Sequence, residues 1–85
     1  MTKETLTQKN LDLHAEWMRY VFDHPDILDR IPRGAVLVIL PEDDPETYAE
    51  NAKVVDINRL KGISVVVVKM KTPRPQISAI EVVPA

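Results

Sequence analysis

The pattern of apolar and polar positions divides the chain into helix, strand, helix and strand. From about Thr7 to Asp23 apolar residues recur at helical spacing and predict a first helix. Thr5, with Gln8 three residues on, fits a capping box at its start. His24-Pro25 ends it, because the residue before proline is pushed out of the helical region. Pro25 can then open a short helical turn, Asp26 to Arg30, and Ile31-Pro32-Arg33-Gly34 reads as a connection. Ala35-Val36-Leu37-Val38-Ile39-Leu40 is apolar without a break, as expected of a strand covered on both faces. A second helix follows from about Pro45 to Lys61. Asp44 suits its N-cap, Pro45 its first position, Arg59 and Lys61 its last turn, and Gly62 the C-terminal glycine.

Ile63-Ser64-Val65-Val66-Val67-Val68 predicts a second strand, so the centre of the chain is a βαβ unit with parallel strands and a right-handed crossover. Thr72-Pro73-Arg74-Pro75-Gln76 is a proline-stiffened loop. Beyond it, Ile77 to Val83 can add a third strand, antiparallel to the second, with Glu81 marking a sheet edge. The expected fold is one small α/β domain over residues 1–85. It has an N-terminal helix, a parallel βαβ unit and a C-terminal antiparallel edge strand.

The faces of the helices bear on partners. On the first helix Leu6, Leu13, Trp17 and Tyr20 form one apolar stripe, and Leu11, Ala15, Met18 and Phe22 form a second, with Val21 between them. Together they cover far more than the narrow stripe of an ordinary surface helix, which predicts burial on two sides. One side can take the sheet; the other needs the second helix or another subunit. Asn10 and His14 lie within this arc, four residues apart on one helix face. They read either as hydrogen-bonded core residues, or a partly exposed groove, or as a register-setting or pH-sensitive interface. The expected self-contact therefore comprises Leu6, Asn10, Leu11 and Leu13 with His14, Trp17, Met18 and Val21. On the second helix Tyr48, Ala49, Ala52, Val55 and Leu60 form the main face, with Val54 and Ile57 a smaller patch. Strands apolar on both faces need two covers, and one chain has barely enough helix to supply them. A homodimer or higher oligomer is the expectation; the alternative is a monomer whose helices cover opposite sheet faces.

Composition narrows the function classes. Eighty-five residues make a domain near the small end of what folds alone. With no cysteine, disulfides, thiolate metal sites and thiol catalysis are excluded. A net charge of −2, with acids and bases mixed along the chain, argues against a dedicated nucleic-acid binder. No apolar run approaches the length of a membrane span, and no signal-peptide core follows the N-terminal residues, so a cytoplasmic protein without membrane contact is expected.

Candidate chemistry concentrates where the first strand runs into Pro41-Glu42-Asp43-Asp44-Pro45-Glu46. In open α/β sheets the carboxyl end of a strand, before a helix, is where ligands bind. Glu42, Asp43 and Asp44 could hold a hard divalent cation such as Mg²⁺ or Ca²⁺. Capping already accounts for Asp44, and the helix dipole for Glu46, which leaves Glu42 and Asp43 as the open question. His14 and His24, ten residues apart, lack any metal-ligand spacing, and His24 reads as a cap on the first helix. Neither Ser64 nor Ser78 lies in a nucleophile elbow, and there is no phosphate-binding glycine loop. Lys69, Lys71 and Arg74, joined by Arg30 and Arg33, form a basic cluster that could touch nucleic-acid phosphates or an acidic partner; it lacks interleaved aromatics, and lysines at a strand end are commonly a solvated edge.

His24-Pro25, Ile31-Pro32 with Gly34-Ala35, Leu40-Pro41-Glu42-Asp43-Asp44-Pro45-Glu46 and Asn51 together resemble a family of small prokaryotic proteins known only as a domain of unknown function. The resemblance covers roughly residues 6 to 70. It implies a compact prokaryotic protein and supplies no catalytic residue. The expected function is non-enzymatic and cofactor-free: association with itself and with a protein partner, conceivably in a regulatory role. The alternative is cation or small-ligand binding at residues 42–46.

Overall fold

A computed structural model describes residues 1–71 and 78–84. Helix α1 spans Lys3–Asp23, a 3-10 turn covers Pro25–Arg30, strand β1 spans Val36–Pro41, helix α2 Pro45–Leu60 and strand β2 Val65–Met70. The strands pair in parallel, with Val36 opposite Val65 and Pro41 opposite Met70. The mixed α/β fold and the parallel pair agree with the expectation. Among the described residues the sheet has two strands. Residues 78–84 carry no strand, and Ile77, where the third strand was expected to start, lies outside the described residues. Val82-Val83 and Glu81 break the alternation of that segment, so no single apolar face sets its register within the chain.

α1 begins a turn earlier than its sequence pattern suggests. Thr2, in an extended conformation, accepts a bond from the Thr5 N–H at 3.1 Å, so Thr5 lies inside the helix. Gln8 reaches forward to Asp12 instead of closing a capping box. The helix ends at His24 as expected. The His24 N–H donates to the carbonyls of Tyr20 and Val21, its Nδ1 donates to Tyr20 O at 3.1 Å, and its ring stacks on Tyr20.

β2 starts two residues later than the apolar run suggests, because the end of α2 claims Ile63. The Gly62 N–H bonds to Arg59 O and the Ile63 N–H to Asn58 O, both at 3.0 Å, with Gly62 at φ 75°. This paired closure needs a left-handed residue, which glycine adopts without steric cost.

The ladder assigns each strand an inner and an outer edge. The Val36 N–H bonds to Ser64 O and the Glu42 N–H to Met70 O. Even-numbered residues of β1 therefore face β2, while Leu37, Ile39 and Pro41 turn their backbone to the outer edge. Pro41, which has no N–H, sits where the ladder requires none. By the same alternation Val65, Val67 and Lys69 turn their backbone to the outer edge of β2.

Side chains alternate between the faces. On one face Ile39 joins Leu13, Trp17 and Val21 of α1 in the core, with Ile27, Ile31, Leu37, Val68 and Met70 packed around them. On the other, Val38 and Leu40 are buried where α2 packs on β1. The helices thus cover opposite faces of β1, which is how a single chain can cover both. β2 is covered less well and contains no fully buried residue.

The buried side of α2 is rotated from the expected apolar face. Its buried residues are Thr47 and Asn51, flanked by half-buried Tyr48, Ala52 and Val55. Ala49 is exposed and Leu60 is 88% exposed. Hydrogen bonds that Asp44 and Asn51 make to α1 and β1, rather than the apolar pattern, accompany this orientation.

Candidate functional site

Two places could carry function: the acidic turn after β1, and the surface beside β2. The turn is built by local bonding. Asp44 N–H donates to Pro41 O at 3.3 Å, and Asp44 O receives the Tyr48 N–H at 2.9 Å, the first turn of α2. The Asp44 carboxylate accepts from the Thr47 N–H at 3.2 Å and the Thr47 hydroxyl at 2.9 Å. It also accepts from Lys9 Nζ on α1 at 2.9 Å. The Lys9 bond holds the Asp44 carboxyl below its ordinary pKa; desolvation opposes this, and the Thr47 bonds add to it.

One turn further along, Asn10 and Asn51 join the helices. Asn51 Nδ2 donates to Asn10 Oδ1 and to the Ile39 carbonyl, both at 2.8 Å. Asn10 Nδ2 donates to Asn51 Oδ1 at 3.3 Å and to Leu6 O at 3.2 Å. All four amide hydrogens are used. On the outer edge of β1 the Ile39 carbonyl, which another strand could otherwise use, is thereby taken by a side chain. Asn10 was expected to be a polar member of the apolar arc; its partner is Asn51, not the exposed His14.

This bonding changes the reading of the acidic turn. Asp44 is engaged by Lys9 and Thr47, and Glu42 and Asp43 are exposed. Among the described residues, no group of three acidic or imidazole side chains is placed to hold a metal ion. The carboxyl end of β1, open in a typical ligand-binding sheet, is occupied by side chains joining α1 to α2.

The second place is an open groove of about 870 Å³ along β2. Its walls come from Trp17 and Tyr20 of α1, Ile27 in the 3-10 turn, Ile31 just after it, and the stretch from Val66 to Lys71. Arg30, Lys69 and Lys71 bring basic charge to it, while Arg19 there pairs with Glu16. The basic cluster expected from the sequence is thus split: three members line this groove, Arg33 is not among its lining, and Arg74 lies outside the described residues.

The eight residues expected to form a self-contact also divide. Leu13, Trp17 and Val21 are buried in the chain's own core. Leu6 and Asn10 are half-buried, and His14 is exposed. Leu11 and Met18 are 60% and 61% exposed, beside Phe22 at 87%. Lys9, Thr47 and Asn51 have defined places that the apolar pattern did not assign. A signal for Asn51 was present: an amide among small residues on an otherwise half-apolar helix.

Among the described residues no helix is long and apolar enough to cross a membrane. Comparison with curated proteins and with solved structures returned no match. A family model, that of a family of unknown function (DUF5647), matches residues 5–83, nearly the whole of the described fold, and the chain belongs to that family.

Proposed function

We propose that this is a non-enzymatic cytoplasmic protein that works by association, first with copies of itself and through that assembly with a protein partner. The supporting observation is how little apolar surface one chain covers. Six apolar side chains form its buried core, whereas thirteen large hydrophobic ones are exposed among the described residues. Large exposed apolar patches on small domains mark contacts with other molecules. On α1, Leu11 and Met18 remain outward, with Phe22 beside them. Within the acidic turn, Asp44 caps α2 and pairs with Lys9 of α1, a structural role that supports this reading.

Size-exclusion chromatography with light scattering tests the reading. At micromolar concentration the expected species is above the 9.6 kDa of one chain, about 19 kDa for a dimer. A single 9.6 kDa species would overturn it.

A further inference from the structure

We propose that the outer edge of β2 receives residues 78–84 of a second copy as an added strand. The inference rests on the self-association reading and names the contact. The backbone of Val65, Val67 and Lys69 points away from β1, and no described residue pairs with it. An unpaired parallel strand rich in valine is a template for another strand. It differs from the outer edge of β1, where Asn51 takes the Ile39 carbonyl and the Asp44 N–H takes the Pro41 carbonyl.

The occupant is indicated by the chain itself. Ile80, Val82 and Val83 are 84%, 89% and 85% exposed, so residues 78–84 find no apolar cover within one chain. Ile80 and Val82 are two apart and share one face of an extended segment. On the β2 edge that face can lie over the groove wall formed by Tyr20, Ile27 and Ile31. The remaining charge is complementary on the opposite face: Glu81, the segment's one ionisable side chain, alternates away from Ile80 and Val82 to the face on which Lys69 lies in β2. Seven residues suffice in length to span the stretch from Val65 to Lys69. Adding this strand satisfies the open backbone groups and covers both half-buried β2 and the exposed tail.

The full-length double variant Ile80→Asp, Val82→Asp tests the contact, with mass and amide hydrogen exchange as readouts. Both sites are solvent-exposed, so amides of the β1–β2 ladder should stay as slow as in wild type and report an intact fold. The expected result is an oligomeric wild type with slow exchange at Val65, Val67 and Lys69. The variant then falls to 9.6 kDa with those three amides exchanging fast. A variant that keeps the wild-type mass overturns strand exchange while self-association stands. Wild type at 9.6 kDa overturns both; slow edge amides in that monomer would show the chain's own tail folded back on β2.

Discussion

Asn10 on α1 and Asn51 on α2 face each other and exchange two hydrogen bonds, of 3.3 and 2.8 Å, while Asn51 also binds the Ile39 carbonyl on the outer edge of β1. This contact ties three elements that are distant in sequence, and it is the main polar link in a small core. Replacing Asn51 with alanine strands that carbonyl and the Asn10 amide in a partly dry site. The expected loss is about 2–3 kcal/mol, the upper range for a buried group left unpaired. Asn10→Ala should cost less, about 1 kcal/mol. The two effects should fall short of additive by more than about 0.5 kcal/mol in a double-mutant cycle by urea unfolding. Full additivity would mean that the pair contributes no mutual energy.

Asp44 predicts a pH dependence. Its folded pKa is lowered, chiefly by Lys9. A carboxylate with a depressed folded pKa contributes stability above its unfolded value, near 3.8, and loses it as pH falls through the lower folded value. Asp44→Ala should cost about 1–2 kcal/mol at pH 7, the range of a lost N-cap. The difference from wild type should shrink as pH falls below about 4 and through the lower folded value, where Asp44 takes up its proton in the native state. Unfolding midpoints across pH 2.5 to 7 check this; a difference independent of pH would show that the charge plays no part.

The same turn makes a prediction about metals. With Asp44 engaged, the three acids of residues 42–44 offer no assembled cation site. Thermal unfolding in millimolar Mg²⁺, Ca²⁺ or Mn²⁺ should leave the midpoint unchanged, because a ligand raises it only by binding the folded state. A clear upward shift with any of the three would revive cation binding at Glu42 and Asp43.

Inner and outer stripes of α1 should separate cleanly in stability measurements. Trp17 is 7% exposed and packs in the core, whereas Phe22 is 87% exposed. Trp17→Ala should cost about 3–5 kcal/mol, enough to unfold much of a domain this small. Phe22→Ala should stay within about 0.5 kcal/mol when measured at concentrations where the chain is monomeric. Equal effects would mean that the two sides of the helix are not distinguished as the structure has them.

The sequence by itself determined the order and type of the helices and of the two parallel strands, though not the strand expected over residues 77–83, because for those elements local physics sufficed. Pro25 after His24 had to end α1, Asp44-Pro45 had to begin α2, Gly62 had to close it, and two valine-rich runs had to be strands. Their boundaries slipped where a hydrogen bond outweighed the apolar pattern, as at Ile63, which the end of α2 takes from β2. Periodicity also showed that α1 carries more apolar surface than one contact can cover. The side that faces the core was beyond its reach, since Leu13 and Met18 look alike in a pattern.

Tertiary structure alone decided the rest. It brought Lys9 to Asp44 and Asn10 to Asn51 across 35 and 41 residues of chain. It thereby turned α2 so that Thr47 and Asn51, rather than its aliphatic residues, face inward. Polar partners far apart in sequence leave no periodic trace, and a satisfied amide can set a helix rotation that hydrophobicity alone would assign differently. Asp44 of the acidic turn became a joint between helices, and an open surface lies along the far edge of β2.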